Sequence, residues 1–253
     1  MIPKKIHYCW FGRNPLPAKA VKCIESWKKY LPKYEIIEWN EDNFDVNEIP
    51  YTAEAYVAKK YAFVSDYARF KVLYEQGGLY FDTDVEVIAP MDDVIAAGPF
   101  MGFELNPDSN SKQYPCGAVA AGLGLGATPG MPLYKDILEY YSKTKFTTGL
   151  KSVTVVYHVS ELLRAHGLQP IQGIQHVAGI SIYPADWFNP FDDGTGRVYR
   201  TENTRTIHWY SETWMDDRIR RRIPLTRFVH RIIGHKFTGA IKQMLQKVIG
   251  RKI

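Results

Sequence analysis

Apolar and polar positions along the chain alternate between two periods, and the order of those periods is informative. Ile6-His7-Tyr8-Cys9-Trp10 predicts a short strand, Asn14-Pro15-Leu16-Pro17 punctuates it, and a helix is predicted over Ala18–Tyr30. Glu35-Ile36-Ile37-Glu38-Trp39 predicts a second strand, so the opening is βαβ, the signature of an α/β sheet. Phe63, Tyr67, Phe70 and Tyr74 recur at a spacing of three to four and predict a helix over Phe63–Gln76. Ser65 or a residue just upstream is expected to cap it, and Gly77-Gly78 to end it, because glycine takes the left-handed conformation without a Cβ penalty. A brief buried strand, Leu79-Tyr80-Phe81, follows; then Asp82-Thr83-Asp84; then a strand over Val85–Ile88. Further on, helices are predicted over Leu133–Tyr141 and Val153–Ala165, with strands near Ile180–Tyr183 and Thr206–Trp209. The uncharged stretch Gln113–Tyr134 holds five glycines and three prolines, which predicts a loop-rich turn region and not a membrane helix.

Composition narrows this picture. The chain has 253 residues, 45% hydrophobic and 23% charged, which excludes global disorder and allows one sizeable core. Cys9, Cys23 and Cys116 form no CxxC pair and imply neither a disulfide framework nor a structural zinc cluster; a reducing cytosol suits them. Met1–Lys5 runs straight into the first strand with no apolar leader, so a cytoplasmic protein is expected. Charge is unevenly placed. Residues 218–253 carry eleven Lys/Arg and no Asp/Glu, whereas residues 1–217 carry 21 basic and 27 acidic groups. The expected division is therefore a domain over 1–217 and a basic tail over 218–253, with the boundary near Met215–Arg218.

Candidate chemistry gathers at the acidic triplet. Carboxylates at i and i+2 at the end of an apolar strand can hold a hard divalent cation, and Mg²⁺ or Mn²⁺ favours a few carboxylates plus phosphate oxygens. An Asp-rich turn is the competing reading. Asp66 and Arg69, three apart on the preceding helix, read equally as an intrahelical ion pair worth a few tenths of a kcal/mol. The whole string Ala62–Phe70, Leu73-Tyr74 and Gly77–Asp84 closely resembles the DXD signature of glycosyltransferase family 32, which includes bacterial capsular and yeast mannosyl transferases and shares its core with the clostridial glucosylating toxins. Ile6–Gly12 is similar to that family's opening strand, Ile182-Tyr183-Pro184 through Phe188-Asn189-Pro190 to a late segment, and Thr206-Ile207-His208 with Trp214 to the closing motif. The chain departs from the family pattern at Glu212-Thr213, before Trp214, and at Thr148-Gly149-Leu150.

The resemblance implies a GT-A fold, a Rossmann-like α/β domain that binds a nucleotide sugar at the C-terminal edge of its strands, as open α/β sheets generally do. It implies that Asp84 ligates Mn²⁺ or Mg²⁺, that Asp82 bridges metal and ribose, and that His208 is a third ligand; a satisfied strand histidine is the alternative for His208. Imidazole suits Mn²⁺ better than Mg²⁺. Asp66 is expected to accept bonds from the sugar hydroxyls, Arg69 to pair with sugar or diphosphate, and Tyr80 to lie near ribose or phosphate. Trp10 is expected to stack on the base, against a core role, and Trp214 to close over the diphosphate. His7, Trp27 and Trp39 are assigned to packing; sugar choice is expected to depend on loop geometry around the pocket, with Gln113–Gly130 a candidate contributor. The expected activity is retaining transfer of a hexosyl unit from a UDP-sugar to a polyprenyl-diphosphate-linked cell-surface glycan. With no nucleophile beyond Asp66, a same-face route with the diphosphate as base is preferred. A haloacid-dehalogenase-type phosphotransferase is rejected because Glu86 stands where that motif wants Thr or Val. A non-catalytic, basic-tailed membrane adaptor is the remaining alternative.

In the tail, apolar doublets from Phe228-Val229 to Val248-Ile249 recur about every four residues and predict two short basic amphipathic helices broken near Gly234 or Gly239. Such helices suit an anionic membrane surface, here the inner face of the plasma membrane. Packing or dimerisation ranks second. Nucleic acid is not expected, since the tail offers only Phe228 and Phe237 for stacking.

Overall fold

The computed structural model describes residues 1–147, 154–211 and 222–233. Trp214, Glu212-Thr213, Thr148–Leu150, the boundary at Met215–Arg218 and the break at Gly234 or Gly239 lie outside the described residues. The chain divides into two compact units, one of Met1–Pro190 with Arg200–His208, the other of Phe191–Tyr199 with Trp209–Ile253.

The first unit is built on a mixed sheet. Strand β1 (Lys5–Cys9) lies between β2 (Glu35–Trp39) and β3 (Gly78–Tyr80), parallel to both. Residues Ile6 to Cys9 are all buried, as a parallel strand covered on both faces requires. Helix α1 (Ala18–Tyr30) makes the crossover, and its first and last residues are those expected. Next come α2 (Pro50–Val57), with proline in its first turn where no N–H is needed, and α3 (Tyr61–Gln76). Lys60 is the N-cap of α3, without a side-chain cap; Ser65 lies inside the helix, where its hydroxyl donates to the Tyr61 carbonyl at 3.2 Å. The expected stop holds, with Gly77 at φ 62° and Gly78 at φ 106°.

Beyond β3 the chain leaves the sheet at Asp82 and turns into β4 (Val85–Val87); α4 (Asp92–Ala96) follows. The main sheet is completed by β5 (Phe100–Leu105), β6 (Ala118–Ala120), β7 (Leu125–Ala127), β8 (Gln175–Val177) and β9 (Ile180–Tyr183), in the order β2-β1-β3-β7-β5-β9-β8 with β6 beside β5. Strands β6 and β7 correct the expectation of a turn region over Gln113–Tyr134. Glycine belongs in β7 for a packing reason, because a Cβ at Gly126 would fall 2.2 Å from the Phe100 ring. Helix α5 (Pro132–Lys143) packs on α3; α6 (Val155–Ala165) is capped by the Thr154 hydroxyl, which accepts from the Tyr157 N–H, and α7 (Ala185–Phe188) is a single turn. Cys9, Cys23 and Cys116 are buried free thiols.

In the second unit β10 (Phe191–Asp192) and β11 (Arg197–Val198) form a small hairpin. Returning to the first unit, β12 (Thr206–His208) pairs antiparallel with β4. Helix α8 (Ile223–Ile233) belongs to the second unit and falls within the expected basic tail. Among the described residues no helix is long and apolar enough to cross a membrane.

Candidate active site

The C-terminal ends of β1 and β3, one face of α3 and the β4–β12 ladder converge on Asp82-Thr83-Asp84. Three consecutive constraints place Asp82. Its N–H donates to the Gly122 carbonyl at 3.2 Å, its own carbonyl accepts the Val85 N–H at 3.0 Å, and its Oδ1 accepts the Tyr80 hydroxyl at 2.9 Å. The i,i+3 pair on α3 faces the same point: Arg69 Nη2 lies 3.0 Å from Asp66 Oδ1 and 3.4 Å from Asp82 Oδ1, while its Nε donates to the Ser65 carbonyl at 3.0 Å. The guanidinium also sits over the Tyr80 ring, 5.1 Å from its centroid.

Arg69 is only 4% exposed, so its charge requires these partners. Burial alone would lower its pKa; Asp82, Tyr80 and Asp66 together hold it above the ordinary range. Burial lifts Asp66 to about 6, Arg69 opposing the rise and Asp82 adding to it. Arg69 is thus a clamp between two carboxylates. Tyr80, at 1% exposure, is kept a hydroxyl by burial and donates to Asp82. Both side chains are enclosed, Arg69 between Asp66 and Asp82 and Tyr80 against Asp82.

Asp84 is held from the other side. His208 Nε2 lies 3.0 Å from Asp84 Oδ1, an approach fixed by the β4–β12 register, which sets His208 opposite Val85. Burial would lower the pKa of His208, but the charge and hydrogen bond of Asp84 outweigh it and raise it. Among the described residues no three His, Cys, Asp or Glu are already gathered around one point. The carboxylates of Asp82 and Asp84 and, in its neutral form, the His208 imidazole are the donor types that would hold a divalent cation. Three carboxylates against one guanidinium also leave the site net negative. That charge and those donors suit a hard divalent cation.

Trp10 is half-buried where β1 ends, its indole N–H donating to the Asn14 carbonyl at 2.6 Å. His7 and Trp27 are fully buried, and the Trp27 N–H donates to the Val85 carbonyl at 2.8 Å, so the two pack as expected. Trp39 donates to His7 Nδ1 at 3.0 Å. One residue went unrecognised in the sequence: a Cβ at Gly122 would fall 2.0 Å from Asp82 Oδ2 and 3.6 Å from an Arg69 nitrogen. Its only signal was its place in a glycine-rich stretch.

Comparison with known proteins bears on this region. Residues 17–101, from α1 to the start of β5, match the family model described as "Glycosyltransferase sugar-binding region containing DXD motif". The chain is 30% identical over 133 residues to "Subversion of eukaryotic traffic protein A" of Legionella pneumophila, covering 42% of this chain and 20% of that one. It is 31% identical over 165 residues to "Inositol phosphoceramide mannosyltransferase 3" of Schizosaccharomyces pombe, covering 64% and 43%. It thus spans less than half the length of these curated relatives. Among solved structures, "PaToxG Glycosyltransferase" aligns with TM-score 0.47 and 19% identity over 65% of this chain and 69% of that one.

Proposed function

We propose, from the premise that residues 17–101 are a DXD-containing sugar-binding region of the glycosyltransferases, that the chain transfers a hexosyl unit from a nucleoside-diphosphate sugar to a glycan acceptor. The observation that carries this reading is the convergence of Asp66, Arg69, Asp82, Asp84 and His208 where parallel strands end, the usual place for a ligand on an open α/β sheet. The mixed sheet with its βαβ opening agrees with a GT-A domain.

In this reading Asp82, Asp84 and His208 hold Mn²⁺ or Mg²⁺. The cation supplies Lewis-acid neutralisation of the diphosphate. Asp66, ionised above its raised pKa of about 6, accepts hydrogen bonds from the sugar hydroxyls. Arg69 keeps Asp66 and Asp82 in register, Tyr80 fixes Asp82, and Trp10 stacks on the base. The bond from the anomeric carbon to the diphosphate breaks, the acceptor oxygen bonds to that carbon on the same face, and the acceptor proton passes to a diphosphate oxygen. Trapping a glycosyl-Asp66 adduct would refute this same-face route.

The donor is proposed to be a UDP-sugar, with GDP-mannose the comparison suggested by the yeast relative's name. The acceptor is proposed to be a polyprenyl-diphosphate-linked glycan at the inner face of the plasma membrane, in keeping with the basic tail. The test is nucleotide release from a panel of UDP- and GDP-sugars with and without Mn²⁺, with acceptor present. Manganese-dependent release of one nucleotide, lost in a folded Asp84→Ala protein, is the expected result. If no donor is bound or turned over, the adaptor reading replaces this one.

A further inference from the structure

Helix α8 is docked the wrong way round for a soluble amphipathic helix. Its basic side faces its own unit: Arg227 pairs with the Asp193 carboxylate, donates to the Asp193 carbonyl at 2.9 Å and lies over the Phe191 ring. His230 Nδ1 is 3.1 Å from the Gly194 carbonyl, and Arg231 donates to the carbonyls of Thr195 and Gly196. The β10–β11 hairpin is thus gripped by three basic side chains. At 100° per residue, Leu225, Phe228 and Ile232 fall within about 60° of one another, opposite Arg227 and His230. All three are exposed, at 66%, 57% and 68%. Ordinarily the apolar stripe of a helix is the face that packs.

We infer that the Leu225–Phe228–Ile232 face of α8 is a docking surface for an anionic lipid bilayer. Charge selects the occupant. Residues 218–253 carry eleven Lys/Arg and no Asp/Glu, so the stripe is set in a strongly basic segment, and a second copy of the same face would bring like charge against like. A bilayer with anionic headgroups meets both features: the three side chains enter the acyl boundary, and the flanking cations lie at the headgroups. Arg227 and His230 are committed to the hairpin, so they hold the stripe outward while the neighbouring basic residues supply the attraction. The inference gives the proposed membrane site of action its contact residues and does not depend on the transfer chemistry.

The test uses the full chain with two kinds of vesicle, phosphatidylcholine alone and phosphatidylcholine with one third phosphatidylglycerol. Wild type is expected to co-sediment with the anionic vesicles and not the neutral ones. The triple variant Leu225→Ser, Phe228→Ser, Ile232→Ser, altered only at exposed positions, is expected to lose at least tenfold in partitioning with an unchanged circular dichroism spectrum. In Phe228→Trp the added fluorescence is expected to shift to the blue with anionic vesicles only. Failure of wild type to bind, undiminished binding by the triple variant, or loss of a dimer instead of vesicle binding would each overturn the inference. Nucleotide release on the same samples reads the chemistry separately.

Discussion

Gly122 is not among the glycines with positive φ, so its backbone suits any residue and only Asp82 excludes a side chain there. Alanine at this position should push Asp82 Oδ2 away while leaving the fold intact, because the clashing atoms belong to a side chain that is partly exposed. Gly122→Ala is expected to lower nucleotide release and raise the Mn²⁺ concentration required, roughly 10- to 100-fold as for other groups that orient metal ligands, with a melting temperature close to wild type. A manganese titration of both proteins checks this. The charged members of the site were legible through the resemblance of the string around Asp66, Arg69, Asp82 and Asp84 to a family signature; spacing alone left an ion pair and an Asp-rich turn open. Gly122 was not, since what matters is a volume left empty across 40 positions of chain. Nor did spacing alone reveal that Arg69 and Tyr80 are enclosed; that depends on α3 lying against β1 and β3.

At the level of elements, His7 joins three of them. Trp39 on β2 can only donate, so His7 Nδ1 must be the acceptor, and Nε2 carries the proton to the Gly77 carbonyl, 2.9 Å away, between α3 and β3. Protonating Nδ1 would break the Trp39 bond inside a buried junction. Burial lowers the His7 pKa to about 4, against a weaker contrary effect of the Gly77 hydrogen bond. The sign follows directly: between pH 6.5 and about 4 the unfolded chain binds a proton that the folded one refuses. Stability from this residue is therefore whole above pH 6.5 and falls on acidification, by about 3 kcal/mol when pH drops below 4. Urea unfolding of wild type and His7→Gln across this range should show a shallower acid slope in the variant. The periodic elements, α1, β2, α3 and β9, were readable because their patterns are local. Strands β6 and β7 were not: Gly126 in β7 answers to Phe100, and Gly122 between the two strands answers to Asp82, residues remote in sequence.

Over the whole molecule, charge divides more sharply than fold. The formal charge of +5 combines +11 after residue 217 with −6 before it. Ending the chain at residue 217 should reverse its sign, abolish binding to anionic vesicles and leave nucleotide release intact, as sedimentation and a release assay on one preparation would show. A matching loss of release would mean that the tail also serves the catalytic site. The family match stops at residue 101, short of both Gly122 and His208.

The strand that brings His208 to Asp84 has a consequence for synthesis. The two residues are 124 positions apart in the chain, and at ~5–20 residues per second a ribosome needs about 6–25 s to travel from one to the other. Throughout that interval the nascent chain displays its acidic triplet before the Asp84–His208 pair can form. Under the proposed function, a half-made molecule would hold no finished donor site, and activity would wait until β12 has been made.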